Sequence, residues 1–252
     1  MRPSPRLDYS GYLKLPDLLA QQQPLSSPVA PDELMFITVH QTCELWFKLL
    51  IYELTDARDQ MMAGNALGAR DRMRRCCVIG RLLTGHLDVI DTMTPVGFER
   101  FRQALGSGSG AQSAQFMEIE YLSGLRDPGP LEHPGRYTDA ELTRLRRRLA
   151  EPTIWDGFLD VLAKAGLDTS SRGSRSAAFA EISRNREQYP QLCDLLEALL
   201  DHDQAWSMWR ARHALTVERQ IGGKPGTGGS AGAGYLHQHR HRRFYPELCG
   251  PP

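Results

Sequence analysis

Residues 32–54, DELMFITVHQTCELWFKLLIYEL, decide the fold. Apolar side chains return every three to four positions, and nothing breaks the pattern from about Asp32 to Met62. That spacing predicts one long helix, apolar on nearly every face, as expected of a helix at the centre of a bundle. Upstream, LSSPVAPDEL (25–34) carries turn and helix-start signals, and residues 8–24 form a short amphipathic piece interrupted at Pro16. Downstream, a third helix covers about Ala66 to Thr92, and Thr94-Pro95 starts a fourth, PVGFERFRQAL. GSGSGAQS interrupts it and AQFMEIEYLSGL resumes. Charged helices follow at about 138–150, 153–165 and 176–187, with Arg144, Arg146, Arg147 and Arg148 expected on a solvated face. The last long helix spans roughly 190–221. Runs of alternating β-branched residues are nearly absent, so the chain reads as all-α, with residues 1–252 in a single helical domain.

Thirty basic and thirty acidic residues cancel, so no global field favours nucleic acid or an anionic membrane. Only four of the basic residues are lysines, a bias with no functional weight. Five cysteines, Cys43, Cys76, Cys77, Cys193 and Cys249, show neither a zinc spacing nor a disulfide framework. The N-terminus lacks the apolar core of a signal peptide, and no apolar run approaches the roughly 20 residues of a membrane span. The expectation is a soluble, cytoplasmic protein with reduced thiols.

In the last helix Trp206, Trp209, His213 and Val217 share an apolar, aromatic stripe. A histidine there is either a core imidazole bonded to a carbonyl or carboxylate, or an axial ligand to haem iron, whose second ring nitrogen needs an orienting acceptor. The glycines after it, in GTGGSAGAG (226–234), let backbone approach a ligand closely. They do not form a phosphate loop, because Lys224 is followed by Pro225 rather than Ser or Thr. His40 lies one turn after Phe36 in the most apolar helix; it is either structural or an acid–base group in a dry pocket. Arg102 shares a face with Phe98 and Phe101, where a guanidinium either snorkels or clamps a carboxylate with two charge-assisted bonds. The closing HQHRHRR (237–243) would align its histidines for metal only if extended, and a solvated surface run is the simpler reading. Cys76 and Cys77 read as two helix-buried thiols.

Five stretches taken together, YSGYLKLPDLLAQQQPLS (9–26), DELMFITVHQTCELWFKLLIYEL, MTPVGFERFRQAL (93–105), SGAQSAQF (109–116) and WRARHALTVERQIGGKPGTGGSAGAGYL (209–236), resemble the tryptophan 2,3-dioxygenase family, in the right order. The resemblance implies a helical-bundle domain that binds haem b, with His213 as proximal ligand and His40 as the distal histidine that meets the indole N–H. It implies that Arg102 clamps the substrate carboxylate, that Thr227 lies near the ammonium group and a haem propionate, and that Phe36 and Phe98 line the indole pocket. Tyr9 and Tyr12 match aromatics that the family donates from a neighbouring subunit, which implies a homotetramer and makes residues 1–30 a subunit-exchanging segment. The expected reaction inserts O2 into the indole C2–C3 bond of L-tryptophan or a substituted tryptophan, giving an N-formylkynurenine; the protein orients, and the cofactor performs the oxygen chemistry.

The chain also departs from the family pattern. Ala111 replaces the usual aromatic between Gly110 and Gln112, Ala231 replaces a serine, Phe98 fills a position that is either Tyr or Phe, and the chain is expected to be shorter than typical members in the middle and at the ends. A changed pocket leaves open a second outcome, a haem-dependent monooxygenase giving a 2-oxindole or hydroxylated tryptophan. A haem-binding sensor without turnover is the third; it would not need the Arg102 and Thr227 clamp.

Overall fold

The computed structural model describes residues 8–249, so the first seven residues of the proposed exchanging segment lie outside the described part. Eleven α-helices form among the described residues: α1 (Tyr9–Leu13), α2 (Leu15–Leu19), α3 (Glu33–Met62), α4 (Ala66–Ile90), α5 (Pro95–Arg102), α6 (Ala114–Ser123), α7 (Asp139–Ala150), α8 (Ile154–Lys164), α9 (Arg172–Arg184), α10 (Pro190–Ile221) and α11 (Ala233–His239). No strand occurs among these residues.

Local sequence fixes most helix starts. Asn65 accepts from the Gly68 amide and Thr94 from the Gly97 amide, while Thr138 with Glu141 and Thr153 with Asp156 form reciprocal capping boxes. Each cap contributes about 1 kcal/mol. The amphipathic N-terminal piece breaks at Lys14, which takes a left-handed φ of 54°, and Pro16 then sits in the first turn of α2. The ninth helix begins at Arg172, four residues before the start expected from sequence, because Ser171 caps it. α11 replaces the extended histidine run: His237 pairs with Glu218 and His239 bonds the Tyr235 carbonyl, so their partners differ, and no metal-holding cluster exists among the described residues.

The core is organised around α4, whose backbone packs closely along both α3 and α10, while α3 and α10 meet one another through large side chains such as Phe47, Trp206 and Trp209. Gly80 permits the α4–α10 approach: a methyl there would lie 3.2 Å from the Ala205 Cβ. Leu50, Leu54 and Met61 of α3 meet Met73 and Leu83 of α4 and Phe158 of α8, all fully buried. Cys76 and Cys77 are buried as expected.

Three expectations are corrected. α3 is not central. Its inner face is buried, but Leu34, Leu45, Leu49 and Tyr52 are exposed. A helix apolar all round has the same sequence pattern whether its second face meets its own chain or points outward. By length and composition α3 is also long and apolar enough to cross a membrane, contrary to the sequence reading, although it packs against α4, α6 and α8 as one helix of the bundle. The α7 arginines are not a uniformly solvated face either: Arg148 is largely buried and bonds the buried carboxylate of Glu118, which also pairs with Arg144. Glu118 cannot be buried without such partners.

Two further polar devices hold the ends of the chain. The buried Glu33 carboxylate accepts from the Leu25 and Ser26 amides and the Ser26 hydroxyl, and Gln41 bonds Gln21 and Gln22, so residues 21–26 are tied back onto α3. At the other end Asp203 accepts from the Phe244 amide at 2.8 Å, and Arg175 grips Glu247 with two bonds of 2.8 and 2.9 Å.

Candidate functional site

Where α3 and α10 diverge, each presents a histidine. The helices run in opposite directions along α4. Phe47 packs edge-on to Trp206 and Trp209, and one end further along His40 faces His213 closely enough to depress its pKa. Burial is the larger cause, and together they bring His213 down to about 4. Its imidazole is therefore neutral at pH 7, and neither ring nitrogen has a hydrogen-bond partner among the described residues or is sealed off as a buried orphan. No described residue supplies the orienting acceptor expected from sequence. The ring instead stacks on Trp209, with centroids 4.9 Å apart and planes 14° from parallel.

His40 is open to solvent but recessed among protein atoms. Desolvation lowers its pKa, against the opposing effects of the Phe36 carbonyl and the Glu44 carboxylate. Its Nδ1 lies 2.7 Å from the Phe36 carbonyl. A carbonyl only accepts, so Nδ1 carries the proton and donates, and Nε2 is left with a free lone pair. That is the tautomer needed to receive an N–H from a ligand.

Beside His40 lies an aromatic wall. The Phe36 ring is 4.0 Å from the His40 ring, 5.8 Å from Phe98 and 5.2 Å from Phe101, and Phe98 meets Phe101 edge to face at 5.4 Å. Phe101 and Ile221, which joins the same apolar cluster from the end of α10, were not singled out as pocket residues from sequence. Phe101 had the signal, sharing a face with Phe98; Ile221 had none, because its approach depends on how α10 crosses α5.

α5 also carries Arg102, whose side chain is 16% exposed. Its guanidinium donates to the Pro225 carbonyl at 2.6 Å, and the Thr227 hydroxyl donates to the Gly108 carbonyl. Lys224 reaches Glu99 at 2.9 Å. These bonds lay the glycine-rich loop after α10 against the segment joining α5 to α6. Gly228 is required at this contact, since a methyl there would sit 2.6 Å from the Ser109 Cβ. Gly108 and Pro225 act through backbone carbonyls, which no residue-type signal reveals.

The fold thus brings Phe36, His40, Phe98, Arg102, His213 and Thr227 to one end of the bundle. Tyr9 and Tyr12 are not among them: they lie on α1, 76% and 72% exposed. The clefts elsewhere on the surface, near Arg72 and near Arg242, are lined by charged side chains already in ion pairs and contain none of these residues.

Two histidines from different helices, an aromatic wall and an arginine–hydroxyl pair at a glycine loop occur in an order along the chain that comparison with known proteins can test. Residues 3–171 and 153–249 match the tryptophan 2,3-dioxygenase family model. The chain belongs to the tryptophan 2,3-dioxygenase family. The tryptophan 2,3-dioxygenase of Nocardioides sp. is 47% identical over 249 residues, covering 97% of this chain and 93% of the relative. That of Herpetosiphon aurantiacus is 39% identical over 255 residues, covering 97% of both chains, and that of Caulobacter vibrioides is 38% identical over 255 residues, covering 96% of both. These three are of similar length to this chain, whereas the tryptophan 2,3-dioxygenase of Xanthomonas campestris pv. campestris (strain B100), 39% identical, is covered over 86% of its length, so the chain is shorter than that member, as expected.

Tryptophan 2,3-dioxygenases are generally haem-dependent. The residues present fit that group. A neutral imidazole with no hydrogen-bond partner among the described residues is the form that coordinates iron, and it lies beside stacked aromatic rings of α10.

Proposed function

We propose that this protein is a haem-dependent tryptophan 2,3-dioxygenase that inserts both atoms of O2 across the indole C2–C3 bond of L-tryptophan, giving N-formylkynurenine. The observation that carries the reading is the facing pair His40 and His213, both held neutral, with Arg102 and Thr227 on the adjoining loop. Haem b, held by His213, supplies activation of dioxygen.

The remaining work falls to side chains. His40, protonated on Nδ1, offers its Nε2 lone pair to the indole N–H and so fixes the edge of the ring. Phe36 and Phe98 give that ring an apolar wall and exclude water from it. Arg102 takes the α-carboxylate by exchanging its bond to the Pro225 carbonyl for a charge-assisted pair, and Thr227 supplies a hydroxyl near the ammonium group. Fixing both ends of the zwitterion leaves the indole little freedom and supplies orientation rather than chemical activation. Tyr9 and Tyr12, exposed on their own subunit, complete the pocket of a neighbouring one in a homotetramer. The outward apolar face of α3 supports that assembly, because contiguous apolar area of this kind marks an interaction surface. All five cysteines are free, which suits a reducing, cytoplasmic compartment.

The test is product mass after haem-loaded, reduced protein reacts with L-tryptophan under oxygen-18 gas. Two labelled atoms in a ring-opened product are expected; one labelled atom on an intact indole skeleton would make the protein a monooxygenase and overturn the reading.

A further inference from the structure

We propose that Trp209 is the positioning residue of the His213 imidazole, setting the plane of the ring by stacking. The proposal rests on His213 being the haem ligand. A metal-ligating histidine is ordinarily oriented by an acceptor on its second ring nitrogen. No side chain or carbonyl among the described residues accepts from His213, and the contact the structure does give the ring is its stack on Trp209.

The restraint comes from a pinned stack of rings. Trp209 lies one turn before His213 on α10, so their side chains are neighbours on the helix surface. Their planes differ by 14° at 4.9 Å, and Trp206 stacks on the far side of Trp209 at 5.3 Å and 22°. Phe47 meets Trp209 edge-on at 6.2 Å and 80°, which blocks it from turning. Trp206 is itself anchored: its Nε1 donates to Glu120 Oε1 at 2.9 Å, and that oxygen also accepts from Arg210 Nε at 3.1 Å and Nη2 at 2.6 Å. The order of constraint runs Glu120, Trp206, Trp209, His213.

Trp209 is 7% exposed, and its own Nε1 is buried without a partner. The indole is therefore held by its faces and edges, and contributes no hydrogen bond among the described residues. A residue that only fills core volume can be replaced by any apolar side chain of similar size. A residue that sets a plane can be replaced only by another flat ring. Phenylalanine keeps the plane and removes the orphaned N–H; methionine fills the volume but has no plane.

The experiment compares haem-loaded wild type, Trp209→Phe and Trp209→Met. Two quantities are read besides turnover: the iron–imidazole stretching band of the ferrous protein by resonance Raman, and the rate of haem loss to excess apomyoglobin. Trp209→Met should broaden or shift the band and lose haem about tenfold faster or more, the size expected on removing an outer partner of a metal-ligating histidine. Trp209→Phe should keep the wild-type band and stay within about twofold in rate, being a planar replacement. A wild-type band and rate in Trp209→Met overturn the proposal. Trp209→Leu is the second non-planar variant, and failure of both non-planar variants to fold while Trp209→Phe folds would make Trp209 a core residue first and equally overturn it. A His213→Ala protein is measured alongside. If it releases haem, the axial assignment stands whatever Trp209 does; if it holds haem stoichiometrically, the axial assignment falls and takes this proposal with it.

Discussion

In the proposed reaction His213 and His40 meet the same demand in two settings. One offers a lone pair to iron and the other a lone pair to a substrate N–H, so both must stay neutral. The structure achieves this at both rings by desolvation, and at His213 also through the neighbouring His40. His213→Ala is expected to abolish haem retention, read from the visible absorption of the purified protein. Arg102→Ala should weaken tryptophan binding by about 2 to 5 kcal/mol, the cost of removing one partner of a buried charged pair, with the loss falling mainly on KM. Titration calorimetry or the KM–kcat split checks this. Arg102→Lys should rescue little of it, because an ammonium lacks the planar fork that pairs with a carboxylate through two bonds.

Two depressed histidines, His213 and the buried His202, make the haem-free protein sensitive to acid. His202, buried against Phe244, is brought down to about 3 mainly by burial and then by Arg210, and His213 to about 4. Above pH 6.5 these groups are neutral in both folded and unfolded chains. As pH falls through that value the unfolded chain binds protons that the folded protein refuses, so stability drops until the folded-state values are reached. A urea midpoint at pH 5.5 should lie below that at pH 7.5, and His202→Gln should flatten the difference. Equal midpoints for the wild type would refute the assignment.

At the scale of elements, the site depends on a loop that has no regular structure. The segment after α10 stays in place because Arg102, Lys224 and Thr227 bond across it and because glycine at 228 lets it approach Ser109. Gly228→Ala should push the loop away from that contact and raise KM for tryptophan while haem content stays unchanged. Gly223→Ala, where a methyl meets nothing within 4 Å, is the control and should leave KM as it is. Equal KM values for the two variants would show that the close contact has no part in binding. The same scale explains why sequence located the long helices well and their short neighbours poorly. α3, α4 and α10 have many turns of periodic apolar spacing, whereas α9 was displaced by a serine cap and α11 was hidden in a run of histidines and arginines.

For the whole molecule, the described chain leaves a face open. Leu45, Leu49 and Tyr52 on α3 and Val78 and Leu82 on α4 are exposed, and Tyr9 and Tyr12 project from the N-terminal helix. A tetramer built on this face predicts that Leu45→Asp lowers the sedimentation coefficient, and that Tyr9→Ala with Tyr12→Ala raises KM without displacing haem. A Leu45→Asp protein that sediments as wild type would place the interface elsewhere.

The sequence by itself determined the helical class, the long helices, the family, and a set of residues that the fold does gather at one end of the bundle. It could do so because helical periodicity is local, and because five ordered motifs carry more information than any one histidine. Only the tertiary structure decided that α4, not α3, is central, that Arg148 is buried on Glu118, that Trp209 stacks on the His213 ring, and that the carbonyls of Gly108 and Pro225 hold the loop. Each of these depends on which face of a helix meets which neighbour across a long stretch of chain. Backbone carbonyls and ring planes leave no mark in residue identity.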